Sequence, residues 1–340
     1  MFSDRMRKLA YGSGLLGLYH RLRNQRTLTV VMFHRVLEIS DPRWHSCDPE
    51  YTLEVGLFEC CLAFFRRHYN IVSVDDVIAA RRGARALPPR ALLITFDDGW
   101  SDNVDFALPR LRAASMPGLL FVVADVIGRR LPFYQERLVG GWRLGRIIAG
   151  KLLAATGSAQ LLRGNTLVDL RLAIAVLEKL DDNARERVLS AFADETDDGL
   201  SHMVASEDLR TLELGGIAIG LHGKTHTPMT RASDLDAELG GARGIVAEHL
   251  ESTKPPVTMS FPHGSYDPAI VQCACEAGYE LVFTSDPTLN LLESRPGWLL
   301  GRVGFEQSDI VDRHGAFRAD KLALLLFCKP QRVLATDSTD

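Results

Sequence analysis

Short apolar runs rich in β-branched residues alternate along this chain with longer segments of helical periodicity. Such alternation is typical of a mostly parallel α/β sheet, because a parallel strand needs a crossover connection, usually a helix, before the next strand. The pattern therefore predicts a mostly parallel α/β architecture. Strands are expected near 28–33, 71–74, 92–96, 119–123, 217–220, 257–261, 280–283 and 300–304.

A long segment between the fourth and fifth predicted strands carries no strand pattern. Residues 127–214 are rich in Leu, Ala and Arg and have helical periodicity. We interpret this segment as an all-helical insertion over one end of the sheet. The length of 340 residues suits either two domains or one barrel with an insertion. We expect an N-terminal helix at 1–26, a barrel at 27–310 that contains the insertion, and a C-terminal helix with a frayed tail at 311–340.

The N-terminal segment is basic. Residues 1–26 hold six Lys and Arg against the single acid Asp4, a local charge of +5 in a chain whose net charge is −4. We expect a basic amphipathic helix, which either lies on an anionic membrane surface or packs on the domain as a solvated helix. The sequence has no signal-peptide pattern and no apolar span of 18 residues, which favours a cytoplasmic protein, with peripheral contact at the inner membrane left open. The net negative charge argues against a nucleic-acid partner.

Two adjacent carboxylates follow the third predicted strand. Residues 94–99 read Ile-Thr-Phe-Asp-Asp-Gly, so Asp97 and Asp98 lie at the C-terminal edge of the sheet. This edge is where α/β barrels carry their chemistry. A turn at Gly99 lets both carboxylates face one pocket, where one acid is able to bind a metal while its neighbour acts as a base.

Two histidines follow the fifth predicted strand. His222 and His226 are four residues apart, a spacing that presents two imidazoles to one ion. Alone, this spacing also fits ordinary cap and turn side chains. With a carboxylate from the same sheet edge, the pair makes a two-histidine, one-carboxylate set that leaves positions open for water and substrate.

Two further segments end strands at the same edge. Residues 260–267 run from a strand into a turn at Pro262 and Gly264, and such a turn either aims backbone N–H groups at a pocket as an oxyanion hole or merely precedes a helix. His34 ends the first predicted strand. A lone histidine there is either structural or, because the other clusters gather at the same edge, catalytic.

These segments resemble the polysaccharide deacetylases of the NodB-homology type, carbohydrate esterase family 4. Residues 95–99 are similar to the motif T-F-D-D-G, residues 222–226 to H-[ST]-x-x-H, and residues 261–264 to the end of R-x-P-Y-G. The resemblance covers about 28–304, interrupted by the helical segment, and implies a distorted (β/α)7 barrel. It implies that Asp97 is the catalytic base. It also implies a divalent metal, most often Zn²⁺, held by Asp98, His222 and His226.

The chain departs from the family pattern at three positions. Gly223 replaces the usual Ser or Thr, Ser260 stands where the family often has the Arg that positions the base, and His263 replaces the motif Tyr. Arg302, on the last predicted strand, is a candidate substitute for the missing arginine. The resemblance implies an oxyanion or substrate-binding turn, which in this chain is formed by Pro262, His263 and Gly264.

The C-terminal motif L-x-x-H, which carries the general acid in most members, is absent, and His314 follows no apolar strand. Some members, among them the poly-N-acetylglucosamine deacetylases, carry this histidine on the N-terminal strand, and the Phe33–His34 pair is similar to that arrangement. The resemblance therefore implies His34 as general acid.

The sequence as a whole predicts a metal-dependent hydrolase that removes the N-acetyl group from a sugar of a glycan or glycan precursor. In the expected mechanism a metal-activated water attacks the acetyl group, Asp97 is the base and His34 the acid. Two alternatives stay open: an O-acetyl sugar esterase that uses the same site, and a non-catalytic saccharide-binding or scaffold protein of glycan assembly.

Overall fold

A computed structural model describes residues 4–158, 164–252, 254–292 and 298–330. Within these ranges, strands of two to seven residues form one large sheet and a small two-stranded one. The strands are β1 (Thr27–Phe33), β2 (Arg35–Leu37), β3 (Thr52–Glu54), β4 (Asn70–Ile71), β5 (Ala91–Phe96), β6 (Gly118–Val122), β7 (Ile217–Leu221), β8 (Thr258–Ser260), β9 (Leu281–Phe283), β10 (Asn290–Leu291), β11 (Leu299–Leu300) and β12 (Val303–Gly304).

Helices connect these strands and cover the outside of the large sheet. They are α1 (Asp4–Gly12), α2 (Leu15–Arg23), α3 (Val55–His68), α4 (Val74–Arg81), α5 (Leu108–Ala114), α6 (Tyr134–Arg143), α7 (Ala149–Ala155), α8 (Leu167–Leu177), α9 (Asp182–Ser190), α10 (Ser206–Leu214), α11 (Ala242–His249), α12 (Pro268–Glu276), α13 (Gln307–Ile310) and α14 (Ala319–Cys328). No helix of the described ranges is long and apolar enough to cross a membrane.

The large sheet is parallel and nearly closes into a barrel. Its order is β10-β1-β5-β6-β7-β8-β9-β11, and within it only the pairing of β10 with β1 is antiparallel. The predicted strand at 300–304 is two short strands, because Leu300 pairs with Phe283 of β9 whereas Val303 pairs with Val31 of β1. The intervening step, residues 301–302, carries the chain across the seam. The α/β class and the distorted (β/α) barrel are thus confirmed.

The predicted strand at 71–74 is wrong at its C-terminal end. β4 has only two residues, and Val74 is the first residue of α4. Ser73 and Asp76 form a capping box, in which each side chain accepts a hydrogen bond from the other residue's backbone N–H. This local cap starts the helix, although the β-branched composition had favoured a strand.

The N-terminal segment also differs from the single helix expected. It forms two helices, α1 and α2, separated at Gly14, whose φ of 82° places it in the left-handed region that glycine adopts without steric cost. Residues 1–3 and the tail at 331–340, where fraying was predicted, lie outside the described residues.

The segment between β6 and β7 is helical. It contains α6 to α10, and one isolated bridge joins Met203 to Trp100. The helices α6 to α9 share a small apolar cluster of their own, separate from the main core around the barrel. Arg143 donates to the carbonyl of Cys47 and Arg171 pairs with Asp48, which ties this helical segment to the loop after β2. The segment therefore stands against the edge at which β1, β5 and β7 end.

Candidate active site

Asp97 and Asp98 lie at the end of β5, as the sequence predicts. The backbone N–H of Asp97 donates to the carbonyl of Phe33 at 3.0 Å, so the end of β5 is tied to the end of β1. Asp98 and Gly99 both have positive φ angles, of 78° and 82°. This sharp turn reverses the alternation of a strand and brings both carboxylates, each nearly fully buried, into one pocket.

Asp98, His222 and His226 meet at one point. The Nε2 atoms of the two imidazoles lie 3.4 Å and 3.3 Å from Oδ1 of Asp98. Within the described part of the chain, this is the group of three buried side chains with the spacing of a metal site. His226, like Asp98, has a positive φ, of 61°. Positive φ at non-glycine residues costs energy and is found where surrounding structure imposes it, often at functional sites.

These three side chains fit a metal ion. Donor atoms of a tetrahedral Zn²⁺ site with bonds of about 2.0–2.1 Å lie about 3.3–3.4 Å apart, which agrees with both separations. Asp98 Oδ1 is buried and has no hydrogen-bond partner among the described residues, an arrangement that costs energy unless another group satisfies it. An aspartate oxygen with two imidazole nitrogens is also a donor set that zinc accepts.

The protonation of the site favours the same conclusion. Nδ1 of His222 bonds to the carbonyl of Ser260 at 2.9 Å, which fixes the tautomer that leaves Nε2 free as a ligand atom. Burial lowers the pKa of His222 to about 4, so this imidazole is neutral at pH 7, as a metal ligand must be. Burial alone would raise the pKa of Asp98, but its contact with His226 and the nearby imidazole charges outweigh burial, and this pKa is lowered.

Trp100 holds the second oxygen of Asp98, and sequence reasoning gave it no role at the metal site. Its indole Nε1 donates to Oδ2 of Asp98 at 3.0 Å, which leaves Oδ1 to face the histidines. The guanidinium of Arg35 lies 4.2 Å above the centre of the Trp100 ring and forms a fully buried ion pair with Asp102. Hydrogen-bonded partners of this kind orient the ligands of a metal site.

Arg302 holds Asp97. Its two terminal nitrogens each donate to a different oxygen of Asp97, both at 2.7 Å, and its side chain is fully buried. The hydroxyl of Ser260 bonds to the same guanidinium at 2.6 Å. Burial disfavours the charged form of Asp97, but the Arg302 charge outweighs it and the pKa of Asp97 is lowered. Ser260 stands where the resembling family often has an arginine. Arg302 supplies an arginine beside Asp97 from a different strand region.

His34 follows directly on β1, beside the end of β5. Its ring packs on that of Tyr51, with the ring centres 4.7 Å apart. Phe33 pairs with Phe96 across β1 and β5, so His34 and Asp97 are the residues that follow these two neighbouring strand ends. His314, in contrast, is in an exposed turn before α14 and bonds to Arg313.

The loop between His222 and His226 is held by Glu238, another residue that sequence reasoning missed. The buried Glu238 carboxylate accepts from the backbone N–H groups of Lys224 and Thr225 at 2.6 and 3.1 Å, and from the Thr225 hydroxyl. Gly223 has a φ of 74°, and a Cβ there would lie 3.0–3.1 Å from neighbouring side chains. Glu238 therefore orients the loop between His222 and His226. Glu238 lies in a π-helical turn, Ala237–Gly241, and no sequence pattern indicated this turn or the contact of Glu238 with the loop.

Pro262, His263 and Gly264 form a turn directly after β8. His263 has a φ of 55°, and its ring centre lies 4.6 Å from that of His226. A Cβ at Gly264 would lie 2.7 Å from Oγ of Ser285, so only glycine fits there. The turn thus borders the three converging side chains through the contact of His263 with His226.

Two clefts open beside this cluster. The larger, of about 1320 Å³, runs between α6, α9 and the loop after β7, and Phe133 and Tyr134 line it. Phe133 also stacks on His226, with the ring centres 3.9 Å apart. The smaller cleft, of about 320 Å³, is lined by His34, Tyr51 and Phe305.

Comparison with known proteins gives a match at the level of the fold. No protein-family model matches the sequence, and the search of curated proteins finds no match. Among solved structures, a Streptococcus pyogenes deacetylase, PplD, in complex with acetate matches with a TM-score of 0.56 at 14% identity, covering 88% of this chain and 98% of that one. IcaB from Ammonifex degensii matches with a TM-score of 0.53 at 18% identity, covering 89% and 97%. A polysaccharide deacetylase from Bacillus cereus matches with a TM-score of 0.54 at 12% identity, covering 88% and 69%. The resemblance to polysaccharide deacetylases found in the sequence is therefore confirmed as a shared fold.

Proposed function

We propose that this protein is a metal-dependent deacetylase that hydrolyses the N-acetyl group of an N-acetylated sugar in a glycan or glycan precursor. The observation that carries this proposal is the convergence of His222 and His226 on Oδ1 of Asp98, beside a carboxylate that Arg302 holds in place. Solved structures with the same fold are described as deacetylases, and two of them as polysaccharide deacetylases. A saccharide-binding protein without catalysis has no need of a positioned base next to a metal site.

Asp98, His222 and His226 would hold the proposed metal, which we assign as Zn²⁺ because the donors are one oxygen and two imidazole nitrogens. When bound, such an ion polarises a carbonyl and makes a water molecule acidic near neutral pH. The pairing of Asp98 with Trp100 keeps the ligand oxygen pointed at the two imidazoles. The tautomer of His222 is set by its bond to Ser260.

Asp97 is the proposed general base. Its lowered pKa keeps it ionised at neutral pH, and the two bonds from Arg302 fix the plane of the carboxylate. Each carboxylate oxygen has a second lone pair, so Asp97 remains able to accept a proton from the attacking water. A positioned base of this kind contributes about 10²- to 10⁴-fold in rate.

His34 is the proposed general acid, and the 262–264 turn the proposed contact for the developing oxyanion. Histidine is the side chain that most often transfers protons in catalysis, and we assign His34 to give a proton to the departing amine nitrogen. Packing on Tyr51 limits the positions of its ring. The backbone N–H of His263 is the donor we assign to the oxyanion, because the 262–264 turn borders His226.

The larger cleft bears on the length of the saccharide that the site accepts. A cleft of about 1320 Å³ exceeds the roughly 300–1,000 Å³ of most small-molecule sites, and it is open along the helical segment. It therefore suits several sugar units better than one. The alternative substrate, an O-acetyl ester, uses the same groups, so paired N-acetyl and O-acetyl saccharides of equal length separate the two activities.

The experiment measures metal content and release of free amine from chitooligosaccharide by the purified chain. We expect about one bound metal per chain, activity that a chelator abolishes and Zn²⁺ restores, and loss of both in His222→Ala. His314→Ala serves as the matched control, since His314 is exposed and distant from the carboxylates, and it should behave as wild type. A chain that binds no metal and shows no chelator effect contradicts the proposal.

A further inference from the structure

The second helix, α2, exposes an apolar face to solvent. Leu15, Leu18 and Leu22 recur at helical spacing on this face, and their exposed fractions are 62%, 53% and 74%. The opposite face of α2 is buried through Leu16 and His20. A surface helix normally turns polar side chains to water, so an outer face made of leucines indicates a contact with something apolar.

A basic groove borders this face. It has a volume of about 260 Å³, lies between α2 and the end of α3, and is lined by Arg21, Arg67 and Arg90. None of these three guanidinium groups is paired with a carboxylate of residues 4–158, 164–252, 254–292 or 298–330. Asp4 of α1 and Asp320 of α14 already pair with arginines outside the groove. Asp4 pairs with Arg318, and Asp320 pairs with Arg7 and Arg318.

The buried histidines next to the groove report its positive potential. Burial lowers the pKa of both His20 and His68 to about 4, and the charges of Arg21 and Arg90 act in the same direction at each, with Arg67 adding to the effect at His68. The groove therefore offers several unopposed positive charges beside an apolar helix face.

This surface lies at the opposite end of the barrel from the active site. Arg90 directly precedes β5 and α2 leads into β1, so both belong to the N-terminal edge of the sheet. Asp97 follows the last residue of β5 at the C-terminal edge. Six strand residues span about 20 Å, which is the separation between the two ends.

We propose that the outer face of α2 and the groove of Arg21, Arg67 and Arg90 form a docking surface for an anionic lipid bilayer. The leucines enter the boundary between headgroups and acyl chains, while the arginines bind lipid phosphates. A second copy of the chain fits less well, because a two-fold contact would set this patch against itself and oppose like charges. The apolar face and the positive groove together match both components of an anionic membrane.

The docking sets the orientation of the enzyme. With α2 on the membrane, the carboxylates at the other end of the barrel face away from it. A saccharide that extends from the membrane or arrives from solution reaches this site, whereas a sugar held at the lipid headgroup does not. This last consequence rests on the proposed deacetylase function, but the docking itself does not.

The experiment is co-sedimentation of the full chain with vesicles of phosphatidylcholine alone or mixed equally with phosphatidylglycerol. The test variants are Leu18→Glu combined with Leu22→Glu, and Arg21→Gln and Arg67→Gln singly. The matched controls are Val168→Glu and Arg187→Gln, exposed residues of the helical segment between β6 and β7. All these side chains are exposed, and circular dichroism verifies that each variant folds.

We expect binding to the anionic vesicles that falls with added salt, and weak binding to phosphatidylcholine alone. Each arginine variant should bind about fivefold more weakly, the leucine pair should lose binding, and the controls should match wild type. Equal binding to both vesicles, or wild-type binding by the leucine pair, overturns the proposal. Absence of vesicle binding with a dimer that the leucine pair dissociates also overturns it, in favour of a second copy as occupant. Because the assay needs no turnover, its failure and a failure of the deacetylase proposal are distinguishable.

Discussion

The guanidinium of Arg302 and the carboxylate of Asp97 form two parallel hydrogen bonds of 2.7 Å in the closed interior of the barrel. The arginine comes from the seam where the chain passes from β11 to β12, more than two hundred residues after Asp97. The fork of an arginine matches the two oxygens of a carboxylate in a way that a lysine cannot. The carboxylate of the proposed base is therefore oriented by the same residues, 301–302, that carry the chain across the seam of the sheet.

Replacement of Arg302 by lysine should lower kcat by up to about 100-fold, because a lysine ammonium cannot fix both oxygens of Asp97. KM and bound metal should change little, and this split distinguishes positioning from a general loss of structure. Steady-state kinetics with metal analysis is the measurement. Arg82→Lys, at an exposed ion pair with Glu280, is the control. An unchanged kcat in Arg302→Lys would show that this pair does not position the base.

A stricter test moves the arginine to the other strand. Arg302→Ser leaves Asp97 buried without its partner, which typically costs 3–5 kcal/mol when a buried pair is broken. Adding Ser260→Arg places a guanidinium where the resembling family often has one. We expect the double variant to unfold at a higher urea concentration than Arg302→Ser and to regain part of its turnover. If the double variant is no better than the single one, Ser260 is not equivalent to the family position.

Glu238→Gln should weaken metal binding by about 10- to 100-fold, the usual effect of removing an outer partner of a metal ligand. The reason is that Glu238 holds the 223–225 loop that carries His226, and an amide retains only part of its acceptor capacity. Titration of the metal-free chain with Zn²⁺ measures the change. Glu276→Gln, on the exposed face of α12, should bind Zn²⁺ as wild type does.

His34→Gln should lower kcat by about 10²- to 10⁴-fold for an amide substrate while leaving bound metal unchanged. The loss should be smaller for an activated ester whose leaving group needs no proton. The comparison of the two substrates is the measurement, because a merely structural role of His34 would lower both rates equally. His314→Ala should leave both rates unchanged.

The stability of the metal-free chain should fall as the pH is lowered from about 6.5 toward 4. Burial lowers the pKa of His20 to about 4, whereas in the unfolded chain it has its ordinary value of 6.5. Between these values the unfolded state binds a proton that the folded state does not, so stability increases with pH. The slope is at most about 1.4 kcal/mol per pH unit for one histidine. Urea unfolding at pH 7.5 and 5 should show a smaller difference for His20→Gln than for wild type; an identical difference contradicts this assignment.

The sequence predicted the barrel and the metal-site cluster because both depend on short segments. Asp98 and His222 lie within two residues of a strand end, His226 lies in the loop that continues from His222, and parallel strands bring their C-terminal ends to one edge whatever the details of packing. The strand at 71–74 was predicted too long because a side-chain cap at Ser73 decided where α4 begins. The Ser73–Asp76 spacing of a capping box is readable in the sequence, but the β-branched composition of residues 71–74 was given more weight.

The partners of the ligands were harder to predict. Glu238 and Trp100 act through contacts that depend on a π-helical turn and on the docking of the helical segment, and neither leaves a pattern in the sequence. The sequence offered Arg302 as a substitute for the missing arginine, but its contact with Asp97 depends on the seam between β11 and β12. These contacts join residues far apart in the sequence, whereas periodicity and motif spacing indicate only local structure.

The most direct test of the central claim is the rate at which Zn²⁺-loaded Asp97→Asn releases acetate from chitooligosaccharide. Asparagine keeps the shape of the side chain but cannot accept the proton of the attacking water. We expect a metal content equal to that of wild type and a rate about 10²- to 10⁴-fold lower. A full rate with the metal still bound would contradict the assignment of Asp97 as the base and, with it, the proposed hydrolysis.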